Sequence, residues 1–93
     1  MSSWTYVFSG VADKQFGPLK KQDQLRIIRA LDRLVFELNA PDQPRQSDLK
    51  KLSGKANQWR LRAGVYRVRF EQDGHQLLVT VLKVAHRREA YRD

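Results

Sequence analysis

The chemistry-bearing residues of this sequence gather in its second half. Eight cations, Arg60, Arg62, Arg67, Arg69, Lys83, Arg87, Arg88 and Arg92, lie in or just after stretches that alternate apolar and polar types. Seven of the eight are arginine. Arginine's planar fork of five donors matches phosphate oxygens better than the point charge of lysine does. The run VLKVAHRREAYRD (81–93) takes an apolar strand straight into His86, Arg87, Arg88 and Tyr91. Fixed cations, a side chain that titrates near neutral pH and an aromatic ring together suit a polyanion: arginines to hold phosphate, imidazole to move a proton, tyrosine to stack on a base.

The whole composition leans the same way. Eighteen Lys and Arg against ten Asp and Glu give a net charge of +8, and from Lys55 onward nine basic residues face four acidic ones. Nucleic acid or an acidic protein is the partner class such a balance favours. Ninety-three residues are read as one domain spanning 1–93, with a thin core, since a chain of this size buries only about 60–65% of its unfolded surface. No cysteine is present, so neither a disulfide nor a thiolate zinc site is available to reinforce it. His75 and His86 lack further ligands at metal spacing, and no metal or other cofactor is expected. MSSWTYVFSG (1–10) has no basic leader followed by an apolar run, and no stretch approaches the roughly 18 apolar residues that span a bilayer. The expectation is a soluble, cytoplasmic protein with no membrane partner.

The elements that must position these residues follow from periodicity. WTYVF (4–8) reads as a first strand. SGVADKQFGPL (9–19) reads as a short helix or turn closed by Pro18. From Leu19 to Asn39 the period is helical: Ile27, Leu31, Leu34 and Leu38 make one stripe, widened by Ile28 and Val35. Arg26, Arg29 and Arg33 repeat on the opposite side, for which a solvated surface is the plainer reading. Pro41 and Pro44 then forbid further helix. WRLRA (59–63) turns at Gly64 into VYRVRFEQ (65–72), and Asp73-Gly74 is a strong hairpin signal from which HQLLVTVLKV (75–84) returns. The fold expected is α+β, in the order β-α-α-β-β-β: a small antiparallel sheet with two N-terminal helices on one face.

Alternation along the strands sorts the arginines. Trp59, Leu61 and Ala63 share a face with Tyr66, Val68 and Phe70, which makes it the core face. Arg60, Arg62, Arg67 and Arg69 then fall together on the other. Like charges opposed across a hairpin cost roughly 0.2–1 kcal/mol per pair, a cost that a bound polyanion would relieve. The last strand has apolar residues at both parities, as expected of a strand flanked on both sides, and delivers Lys83, His86 and Arg87 at its exit.

LSGKANQWRLRAGVYRVRFEQDGHQLLVTVLKVAHRREAYR (52–92) resembles the β half of the RelE branch of the RelE/ParE toxin superfamily. The leucine-glycine entry LSG, the WRLRAGVYRV hairpin and the closing HRREAY carry the resemblance, and YVFSGVADKQFGPLKKQDQLRIIRALDRL (6–34) fits the family's first strand and helical segment. The resemblance implies the toxin of a type II toxin–antitoxin pair. It implies a metal-independent endoribonuclease (an mRNA interferase) that enters the ribosome's decoding site and cuts messenger RNA, inhibiting translation. It also implies a RelB-like antitoxin, in a heterotetramer or larger complex. Carried over by position, Arg67 and Arg87 are catalytic arginines and Tyr91 the C-terminal tyrosine. Arg60 and Arg62 occupy a basic pair that is lysine in some relatives. Arginine is a poor general base, so these two are assigned to phosphate, with Arg69, Lys83 and Arg88. His86 is the leading candidate for proton transfer, and Glu71 a weaker one on the arginine face.

Plainer roles exist for each. Arg67 and Arg87 could pair with Glu71 or Glu89, Tyr91 could pack on the sheet edge, and His86 could serve only as a hydrogen-bonding edge residue. Trp4 and Phe36 fall off the apolar stripes and are candidates for an antitoxin contact. Two other functional classes stay open: a ParE-type toxin that poisons DNA gyrase by protein contact, and a degenerate homologue that binds RNA without cutting it.

Overall fold

The computed structural model describes residues 3–89. Its elements are β1 (Thr5–Phe8), α1 (Gly10–Phe16), α2 (Lys21–Asn39), β2 (Leu49–Lys51), β3 (Gln58–Ala63), β4 (Tyr66–Asp73) and β5 (Leu78–His86). They form one five-stranded sheet in the order β1-β5-β4-β3-β2. The α+β class and the two N-terminal helices are as expected, with two additions. β1 runs parallel to β5, which the intervening helices make possible because a parallel neighbour needs a long crossover. The other addition is β2, which pairs antiparallel with β3 through Leu49–Leu61, Lys50–Arg60 and Lys51–Trp59.

Both helices cover one sheet face. Ser9 caps α1, its Oγ accepting from the Ala12 amide at 3.2 Å, and Gly17-Pro18 follow the helix end. α2 buries Ile27, Leu31 and Leu34 against Leu61, Val68, Phe70, Val79 and Val81, which form the core with Ala12, Ala63 and Val84. Where α2 ends, Asn39 clamps the start of β1: Oδ1 accepts from the Trp4 amide at 2.7 Å and Nδ2 donates to the Trp4 carbonyl. Trp4 is therefore half-buried and packed on the core, whereas Phe36 is 65% exposed.

The one buried charge, among the described residues, is Glu37 on α2. Burial alone would raise its pKa. The amides of Gln46 and Ser47, donating to its carboxylate at 2.8 and 3.1 Å, and the nearby Arg33 charge outweigh that and hold it below the usual carboxylate value. Glu37 thus ties the proline-rich 40–48 segment to the helix.

The two hairpin loops that flank β4 differ. Ala63 pairs with Tyr66, leaving a two-residue loop in which Gly64 has φ 64°, a conformation that glycine adopts without a Cβ penalty. At the other hairpin Asp73 pairs with Leu78, so the loop is Gly74–Leu77 rather than a tight Asp73-Gly74 turn. The Asp73 carboxylate accepts from the amides of His75 and Gln76 at 2.9 and 3.2 Å, a side-chain-capped turn that needs more residues.

β5 contains a bulge. Arg69 pairs with Lys83 but Phe70 pairs with Val81, so Leu82 is the extra residue. The bulge reverses parity: Val79 and Val81 face the core before it, and Val84 does so after it. Apolar residues at both parities therefore reflect a change of face as well as a central strand. Helix α1 and its cap satisfy backbone groups at this point, Ser9 Oγ donating to the Leu82 carbonyl and Gln15 Oε1 accepting from the Val84 amide at 2.7 Å, as buried backbone requires.

Candidate nucleic-acid interface

The bulge sets what the open sheet face presents. Directly paired residues share a face, and the register aligns Lys50 with Arg60, Arg60 with Arg69, and Arg69 with Lys83. One row across β2, β3, β4 and β5 is thus entirely cationic. Strands lie about 4.8 Å apart, so the row spans on the order of 15 Å. One step toward the Gly64 turn, Arg62 pairs with Arg67, and Arg62 also meets Asp48 at 3.8 Å. With both partners exposed, that ion pair contributes little to stability. Lys50, Arg60, Arg62, Arg67 and Asp48 line a shallow hollow of about 180 Å³. One step the other way, Gln58, Glu71 and Thr80 share the face.

The four strand arginines lie together as their alternation predicted. Lys50 joins them, and sequence reading missed it because a three-residue strand has no period to detect. Arg67 pairs with neither Glu71 nor Glu89 in the contacts the structure shows. Its Nη1 donates to the Gly64 and Tyr66 carbonyls at 2.8 and 3.0 Å, which fixes the guanidinium over the turn and leaves further donors of its fork for a ligand. Arg60, Arg69 and Lys83 are held by interactions of their own.

The strand exit divides. The Arg87 amide donates to the Val65 carbonyl at 2.7 Å, bringing the Arg87–Glu89 turn beside the Gly64 loop and the Arg67 end of the sheet. Arg87 and Arg88 are exposed there. His86 goes the other way, which corrects the expectation that it reaches the arginine face. It pairs with Tyr66 on the helix side, with the two rings edge to face at 5.7 Å, and its Nδ1 accepts from the Arg88 amide at 3.2 Å. Tyr66 donates its hydroxyl to Asp23 at 3.3 Å; burial first, then the Asp23 charge and that bond, raise its pKa. Glu71 stays on the arginine face, aligned with Gln58 and Thr80, and Asp48 lies at its rim beside Arg62. Tyr91 and Arg92 lie outside the described residues. Among those described, no three His, Cys, Asp or Glu side chains come together as a metal site, and no helix is long and apolar enough to cross a membrane.

Comparison with known proteins places this geometry. Residues 6–91 match the family model for the ParE toxin of type II toxin–antitoxin systems. The chain belongs to the RelE/ParE toxin superfamily. It is thus the toxin of a type II toxin–antitoxin system. Among solved structures, RelE in the archaeal RelE–RelB complex of Pyrococcus horikoshii is 24% identical, with a TM-score of 0.73 over 96% of this chain and 100% of that one. The RelB–RelE complex of Methanococcus jannaschii gives 23% identity and 0.70, over 92% and 95%. The isolated RelE toxin of E. coli gives 21% and 0.64, over 91% and 84%. At these identities the likeness is one of fold. No curated protein sequence matches at a significant level.

Proposed function

We propose that this toxin is a ribosome-dependent endoribonuclease that cleaves messenger RNA in the decoding site, and that a RelB-like antitoxin neutralises it. The observation that carries the reading is the cationic row from Lys50 to Lys83 with the Arg62–Arg67 pair beside it. A strand of phosphates laid over such a row meets a cation on each of four successive strands, a spacing suited to a polyanion.

In this reading the 2′-hydroxyl of one nucleotide attacks the adjacent phosphorus. The bond to the 5′-oxygen of the next nucleotide breaks, leaving a 2′,3′-cyclic phosphate and a free 5′-hydroxyl. Negative charge grows on the non-bridging oxygens, where arginine donors are worth about 3–4 kcal/mol each by analogy with oxyanion donors elsewhere. Arg67, fixed by the Gly64 and Tyr66 carbonyls, and Arg87, beside the same loop, are assigned to that charge. Arg60, Arg62, Arg69, Lys83 and Arg88 hold flanking phosphates, and Lys50 is added to them. Tyr91 stacks on a base, a contact worth about 1–3 kcal/mol. With His86 behind the sheet, positioning and charge stabilisation supply most of the rate, and Glu71 is the proton acceptor on the same face.

The ParE name of the matching family model favours a second reading, in which the target is DNA gyrase and no bond is cut. Growth arrest separates the two. Expression of an Arg67→Ala/Tyr91→Phe variant abolishes arrest if RNA cleavage is the activity. Persistent arrest, together with gyrase–DNA complexes trapped by the purified toxin, establishes the gyrase reading instead.

A further inference from the structure

The arginine face leaves a second group of cations unused. Arg26, Arg29 and Arg33 recur along the solvent side of α2, and α2 lies beside β3. β2 is only three residues long, and beyond it the Asp48 carbonyl alone accepts from β3, at the Arg62 amide. At this open end of β3, a hollow of about 260 Å³ is lined by Arg26, Arg29, Arg33, Ser47, Arg62 and Gly64. Two features give it a built character. The Arg26 side chain lies so close over Gly64 that any Cβ there would come within 2.6 Å of it. The Glu37 carboxylate bonds the Ser47 amide and so holds that wall against α2.

The surroundings select the class of ligand. Leu25, Arg29 and Phe36 fall at i, i+4 and i+11, on one flank of α2. Leu25 is 43% and Phe36 65% exposed, and Phe36 borders a neighbouring hollow of about 240 Å³ with Arg33 and Pro44. Phosphates would use the arginines and leave two large apolar side chains in water. A polypeptide that alternates carboxylates with apolar residues satisfies both. We infer that the α2–β3 hollow is a docking site for an acidic, partly apolar segment of a partner protein, its carboxylates on Arg29 and Arg33. Arg62 and Asp48 line both this hollow and the one on the arginine face. A segment seated here competes for Arg62 with an anion bound on the sheet, so docking weakens RNA binding without covering the sheet. The site stands whether or not the toxin cuts RNA, since its readout is binding.

Fluorescence anisotropy at physiological salt tests this, with a labelled peptide of mixed glutamate and leucine and, separately, labelled oligouridylate. The expected result is tight peptide binding that falls about tenfold or more in Arg29→Glu/Arg33→Glu, equivalent to about 1.4 kcal/mol. A smaller fall is expected in Phe36→Ser and none in Arg67→Ala/Arg69→Ala. Saturating peptide lowers oligouridylate affinity in the wild type but not in Arg29→Glu/Arg33→Glu. The charge-reversed positions are solvent-facing, and circular dichroism confirms that the variants fold. Peptide binding that survives the α2 reversal and is lost in the sheet variant overturns the proposal. So does an α2 reversal that weakens oligouridylate and spares the peptide, which would make the flank an RNA track.

Discussion

The two faces of one sheet obey opposite rules. On the helix side, Val68, Phe70, Val79 and Val81 are completely buried, and each apolar residue there is fixed by the partners it packs against. On the open side the register stacks Lys50, Arg60, Arg69 and Lys83 in one row, where charge rather than packing sets the residue type. The contrast teaches where to look for function: the core face maximises burial, and the other face concentrates like charge that a polyanion can use. The bulge at Leu82 joins the two, since without it Lys83 and the core valines of β5 would share a face.

Substitutions on the two faces should therefore fail in different ways. The largest effect on stability is expected from Phe70→Ala, at about 3–5 kcal/mol, read by urea unfolding. Glu37→Gln comes next. It replaces a carboxylate acceptor of two backbone amides and should cost about 1–3 kcal/mol. Because the folded pKa of Glu37 lies below its ordinary 4.5, its contribution is present above that value and is lost as pH falls through the folded pKa. Unfolding midpoints between neutral and acid pH should show Glu37→Gln flattening that slope. Tyr66→Phe removes the bond to Asp23 and should cost about 0.5–1.5 kcal/mol with no loss of RNA affinity, by the same unfolding assay and by RNA titration. Lys50→Ala is the smallest in stability, within about 0.5 kcal/mol. It should lower the salt slope of RNA binding by about one, measured by titration at several salt concentrations. A Lys50 variant that unfolds the protein, or a Tyr66 variant that loses RNA, would erase the division between faces.

The sequence carried the faces of β3 and β4 because period 2 runs unbroken through both. It carried α2 because about three turns of apolar stripe, from Ile27 to Leu38, leave little choice. β2 was hidden because Leu49–Lys51 is half-exposed or exposed and is recruited by pairing with β3. The bulge was hidden because part of what satisfies it, Ser9 and Gln15, comes from the other end of the chain. Asp73 misled in a different way: its carboxylate caps a longer loop that leaves Leu77 at φ 52°. The placement of His86 was within reach, since the alternation from Lys83 to Arg87 separates it from both. Lys50 needed the register of β2, and the α2 hollow needed the approach of residues 46–48 to the helix.

Primer extension on a defined messenger in a reconstituted translation reaction, with and without ribosomes, tests the central claim most directly. The wild type should cut at codon-spaced positions only when ribosomes are present, and Arg67→Ala should lose about 100-fold or more of that cutting while remaining folded. Equal cutting by Arg67→Ala, or no cutting at concentrations of toxin that still arrest growth, would contradict it.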